Sequence, residues 1–152
     1  MNWPGYHPEL FEIVKNERPQ RSFSKKIFAA DVSDEAILAA KTNARRARVF
    51  SSIEFQGCAM ENLKISSNNA VIMMNPPYGE RLKEENIQRL YHMIGERLKH
   101  RFTGNTAWIL STSGDNLKNI GLKPARKMEL YNGALKCLFV CYPLFEGKRK
   151  NQ

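Results

Sequence analysis

The sequence predicts an α/β fold, a mainly parallel, doubly wound sheet that closes with an antiparallel hairpin. Three observations predict it. Short apolar runs without polar alternation recur along the chain, as in strands covered on both faces. Segments of helical periodicity separate those runs. The dipeptide Asn132-Gly133 lies between two strand-like runs and marks a hairpin. A length of 152 residues suits one domain around one core.

Taken in order, residues 8–17 read as a short amphipathic helix that starts at Pro8. A polar linker follows over residues 18–22. Residues 26–30 read as a buried strand that ends at Asp31. A helix then runs from Asp34 to about Ala47. Ser33 is its expected N-cap, and the acids Asp34 and Glu35 suit the helix dipole. The small residues Ala36, Ala40, Ala44 and Ala47 let this helix pack closely on a sheet. Residues 52–56 form a second strand. Residues 70–74 form a third, expected to be central and covered on both faces because nothing polar interrupts it. Ile87, Leu90, Tyr91, Ile94 and Leu98 define one face of a long helix. Residues 106–111 form a fourth strand, and residues 127–131 and 135–142 form the hairpin. The tail from Glu146 is expected to fray.

Composition narrows the function classes. The apolar fraction of 42% and the charged fraction of 26% are those of a globular domain. No apolar run approaches the roughly 20 residues that span a bilayer. No basic segment followed by an apolar stretch opens the chain, so no membrane partner and a cytoplasmic location are expected. The net charge of +9 implies a polyanionic partner. The charge is clustered at Lys25-Lys26, Arg45-Arg46-Arg48, Lys123-Arg126-Lys127 and Lys148-Arg149-Lys150, groups suited to phosphates. Cys58, Cys137 and Cys141 lack CxxC spacing, and the last two read as small buried hydrophobes. With His7, His92 and His100 scattered, no metal site is expected.

The residues that carry chemistry are Asn75-Pro76-Pro77-Tyr78, directly after the third strand. Ligands in open α/β sheets bind beyond the carboxyl ends of strands. Two prolines fix φ twice and donate no N–H, so the loop is stiff and its carbonyls are free to accept. An exocyclic NH2 on a nucleobase is a poor nucleophile because its lone pair is delocalised into the ring. Accepting both its hydrogens, by the Asn75 side-chain oxygen and the Pro76 carbonyl, frees that lone pair for attack. Tyr78 offers a ring on which an extruded base can stack. The competing reading is a plain proline turn after a strand.

The longer string Asn75-Pro76-Pro77-Tyr78-Gly79-Glu80-Arg81-Leu82 resembles the bacterial 23S rRNA guanine-N2 methyltransferases and their N6-adenine-specific methylase relatives. The larger members of that family carry an N-terminal THUMP domain. The resemblance continues in Phe28-Ala29-Ala30-Asp31, in Ala40-Lys41-Thr42-Asn43-Ala44-Arg45 and in Lys127-Met128-Glu129-Leu130-Tyr131-Asn132-Gly133-Ala134-Leu135. It extends from about Trp3 to Tyr142. It implies a Rossmann-like class I methyltransferase sheet, S-adenosyl-L-methionine as donor and an RNA base as acceptor, guanine N2 of 23S rRNA first. It also implies Asn75, Pro76, Pro77 and Tyr78 as the catalytic loop, with Asn75 beside the cofactor as well. Asp31 matches the acid that binds the cofactor ribose, although a helix-capping role is the alternative. Gly79-Glu80-Arg81 is expected to shape the loop through a Glu–Arg pair.

The chain departs from the family in two places. No glycine-rich turn of the kind that follows the family's first strand occurs. Residues 1–152 are therefore expected to form part of a methyltransferase domain, without the first strand, that turn or the THUMP domain. Two strands would then lack their shared neighbour, and the fragment alone is expected to be unstable or inactive. In the loop Gly57-Cys58-Ala59-Met60-Glu61-Asn62, relatives often carry an aspartate toward the cofactor's adenine. Here Met60 is the candidate to pack on that ring, and Glu61 or Asn62 to reach its amine. The alternatives are methylation of adenine N6 in DNA or RNA, and a catalytically inactive RNA-binding fragment.

Overall fold

A computed structural model describes residues 4–17, 24–65, 69–77, 84–112 and 114–145. The elements run α1 (Pro8–Glu17), β1 (Ile27–Asp31), α2 (Asp34–Arg46), a 3₁₀ turn (Phe50–Ser52), β2 (Ile53–Gly57), β3 (Val71–Met74), α3 (Glu84–Arg101), β4 (Thr106–Ser111), α4 (Gly114–Lys118), β5 (Arg126–Asn132) and β6 (Leu135–Pro143). This is the expected order, with α4 in addition. A five-residue helix is too short to show periodicity in sequence.

The strands form two sheets, in keeping with the expectation that two of them lack a shared neighbour. β1 and β2 pair in parallel, and a second sheet has the order β3-β4-β6-β5. β3 and β4 are parallel, whereas β6 runs antiparallel to both β4 and β5. The hairpin thus places its second strand inside the sheet and its first at the edge. Its turn falls one residue later than the sequence suggests, at Gly133-Ala134, with Gly133 at φ 62°. A residue without Cβ adopts that conformation at no steric cost.

The core lies between α3 and the larger sheet. Ile87, Tyr91, Ile94 and Leu98 of α3 pack with Ala107 and Ile109 of β4 and with Val140 and Tyr142 of β6. Strict alternation along β4 sends Ala107, Ile109 and Ser111 into this layer. The Tyr91 hydroxyl and Ser111 Oγ share a buried hydrogen bond of 3.0 Å. Trp108 and Phe139 stack at 4.7 Å. Cys137 and Cys141 are buried, in keeping with their apolar setting.

Two expectations fail. β1 is not a buried strand, since Ile27 and Ala30 are exposed and Phe28 and Ala29 only half-buried, its outer edge having no paired strand among the described residues. β3 is not central and not covered on both faces. It ends its sheet, and Val71 and Met73 are 61% and 72% exposed, while only Ile72 and Met74 turn toward the core. An unbroken apolar run cannot reveal which of its faces is covered.

Candidate functional site

The walls of the main cleft come from the ends of three strands. Ser33 caps α2, its Oγ accepting from the Ala36 N–H at 3.2 Å. Asp31, the last residue of β1, accepts the Ser33 N–H on Oδ1 at 2.8 Å. The carboxylate therefore helps to shape the β1–α2 turn and stays exposed at the strand's carboxyl end. The capping alternative is correct in part, since Asp31 supports the cap while Ser33 provides it.

β3 is fixed at its other end by Asn105. Its Oδ1 accepts the Ala70 N–H at 2.8 Å, and its Nδ2 donates to the Phe102 carbonyl at 3.0 Å. Asn105 is buried, so this link holds the start of β3 against the α3–β4 connection. The strand then delivers Asn75, Pro76 and Pro77 at its carboxyl end. Pro76 is buried and anchors the loop, whereas Asn75 and Pro77 are exposed.

Between β1 and β3 lies a cleft of about 1220 Å³. Phe28, Asp31 and Val32 line one side, Cys58, Met60 and Glu61 the loop after β2, and Val71 to Met74 with Pro77 the other side. The structure thus brings Asp31, Met60, Glu61 and Pro77 to one cavity. Asn75 sits between the lining residues Met74 and Pro77 without being part of the wall itself. Asn62 is exposed, donates its backbone N–H to the Ala59 carbonyl at 2.9 Å and does not line the cleft. Tyr78 and the Gly79-Glu80-Arg81 segment lie outside the described residues. The sequence reading missed Val71, Met73 and Phe102 as lining residues, because each reads as ordinary core.

The basic clusters divide by use. Lys25 and Lys26 line the cleft, with Lys26 also 3.4 Å from Glu54. The Arg45 guanidinium lies 4.4 Å from the centre of the Phe50 ring, a cation–π contact that occupies one of its cluster. Lys127 lines a separate groove of about 350 Å³ beside α4. Lys148-Arg149-Lys150 lies outside the described residues. Among the described residues no cluster of metal-ligating side chains occurs, and no helix is long and apolar enough to cross a membrane.

Residues 5–140 match the family model described as the RMKL-like methyltransferase domain. The chain is 34% identical over 148 residues to the ribosomal RNA large subunit methyltransferase K/L of Shewanella sediminis, covering 93% of this chain and 21% of that protein. It is 29% identical over 150 residues to the protein of the same name in Shewanella amazonensis, covering 94% and 21%. The chain thus spans about a fifth of the length of these relatives. The crystal structure of SMU.472 complexed with SAH superposes with a TM-score of 0.78 at 27% identity, covering 98% of this chain and 40% of that one.

Proposed function

The chain belongs to the RMKL-like methyltransferase domain family, and from that premise we propose that it serves S-adenosylmethionine-dependent N-methylation of a base in RNA, with guanine N2 of large-subunit ribosomal RNA as the target. One observation carries the reading. A rigid Asn-Pro-Pro tip leaves β3 at the rim of the same cleft whose facing wall holds the Asp31 carboxylate.

The residues fit the donor. A carboxylate such as Asp31 accepts from two vicinal hydroxyls, and Phe28, Val32 and Met60 offer apolar surface to a purine. When bound, S-adenosylmethionine supplies an electrophilic methyl group on a sulfonium. The chain's own part is to hold the amine. Asn75 Oδ1 and the Pro76 carbonyl accept its two hydrogens and leave the nitrogen lone pair free. Buried Pro76 keeps both acceptors in place, so little reorganisation accompanies the reaction. Tyr78 supplies the stacking surface, and Lys25 at the cleft attracts the phosphate backbone. No strong general base is needed, because the methylated amine is acidic enough to release its proton to water.

Mass spectrometry of ribosomal RNA nucleosides from a strain lacking this chain tests the proposal. Loss of N2-methylguanosine at a large-subunit site is expected. Loss of N6-methyladenosine instead would move the acceptor to adenine, and an unchanged nucleoside profile would reduce the chain to an RNA-binding role.

A further inference from the structure

The β5–β6 hairpin projects beyond the rest of its sheet. β4 ends at Ser111, which pairs with Leu138, and β3 ends at Met74, which pairs with Ile109. Past Glu129 and Leu138 the hairpin continues, pairing Leu130 with Cys137, Tyr131 with Lys136 and Asn132 with Leu135. At about 3.4 Å per residue, its tip lies roughly 10 Å beyond the level of Ser111. Because β6 is antiparallel to β4, this projection leaves from the carboxyl ends of β3 and β4. Asn75-Pro76-Pro77 departs from the same rim. In the order β3-β4-β6-β5 the hairpin's outer strand lies about 14 Å to the side of β3, at the usual strand spacing. Strand alternation sorts its side chains. Lys127, Glu129 and Tyr131 share one face, opposite Val140, Leu138 and Lys136. Lys127, Leu138 and Val140 line the groove beside α4, so this is the α4 side.

Resting on the RNA methyltransferase reading above, we propose that this hairpin is a second contact for the RNA strand. Tyr131 stacks on an unpaired base a few nucleotides from the one methylated, and Lys127 meets a phosphate farther along. Charge favours a nucleic acid as the occupant. The acids on this side are already neutralised, Glu129 by Lys136 at 2.7 Å and Asp115 of α4 by Lys118 at 2.6 Å. Lys127, with Lys123 and Arg126 at the start of β5, meets no acid among the described residues. The chain as a whole carries +9. Charges on an edge strand also discourage pairing with another chain, but that role gives no reason for a large ring held in water. Tyr131 is 69% exposed at the tip. Cations that follow a backbone, with an aromatic face that carries a base, are the parts of a single-strand binding surface. Position supplies the rest, because one strand with its target amine at Asn75 passes the hairpin tip on the same rim.

The test is fluorescence anisotropy of the 152-residue chain with a fluorescein-labelled single-stranded RNA, one guanine in a run of uridines, at several salt concentrations. Tyr131→Ala should weaken binding by about 5- to 150-fold, the range of one lost base stack. Its salt dependence should match the parent's, since stacking releases no counterion. Tyr131→Phe should bind as the parent does. Lys127→Gln should instead flatten the salt dependence, by about 0.7 in the log–log slope for one phosphate on a single strand. Tyr131→Trp should keep the affinity, and the emission it adds should be quenched by the RNA. Equal affinity of the parent and Tyr131→Ala would overturn the hairpin's part and leave the catalytic reading standing. An equal loss in Tyr131→Phe would overturn stacking in favour of the hydroxyl, and unquenched emission from Tyr131→Trp would overturn it too. Absence of RNA binding by the parent chain would overturn the proposal together with the reading on which it rests.

Discussion

At the scale of single residues, polar side chains hold the cleft's frame. Asn105 is buried, with both ends of its amide engaged, so Asn105→Ala strands the Ala70 N–H and the Phe102 carbonyl. Urea unfolding should show a loss of about 1–3 kcal/mol, and an unchanged midpoint would remove Asn105 from the frame. Tyr142 gives a pH signature. Burial, reinforced by Tyr91, pushes its phenol up to about 12, whereas an unfolded phenol titrates near 10. Stability from this group is complete below pH 10 and is lost as pH rises from 10 toward 12, where only the unfolded chain gives up its proton. Thermal midpoints at pH 9 and pH 11 should fall farther apart for the parent than for Tyr142→Phe; equal drops would contradict the assignment. Ser33 and Asp31 were legible in sequence because cap chemistry is local. Asn105 was not, because an amide in a loop has no periodicity and its partner Ala70 lies 35 positions away.

At the scale of elements, close approach decides what the helices tolerate. A Cβ at Gly95 of α3 would run into the carbonyl of Ile120, beyond α4. Gly95→Ala should raise helix propensity yet lower stability by roughly 1–3 kcal/mol, read by chemical denaturation; stabilisation would show that the α3–α4 contact can yield. The sequence pattern identified α3 by its apolar face and α2 by its cap and acidic first turn. It placed the hairpin through Asn-Gly, one residue short of the turn itself. Its error at β3 has a physical source. Ile72 and Met74 meet the core while Val71 and Met73 do not, yet all four are equally apolar.

At the scale of the whole molecule, the order of strands and helices was readable, and so was a break that leaves two strands without a shared neighbour; which strands flank the break was not, since pairing partners are far apart in sequence. The cleft follows from that break. It places the carboxyl end of β1, with Asp31, opposite that of β3, with the Asn-Pro-Pro tip, and no local pattern reports such a meeting. The candidate tip was legible because a stiff, proline-rich segment directly after a strand is written in consecutive residues, Asn75 to Pro77. The most direct test of the account is nucleoside mass spectrometry of ribosomal RNA from a strain lacking this chain, complemented with either the parent or Asn75→Ala at equal protein level. The account predicts that the parent restores N2-methylguanosine and that Asn75→Ala lowers the rate of its formation by about 100- to 1,000-fold. Restoration by Asn75→Ala at the parent's rate would contradict it.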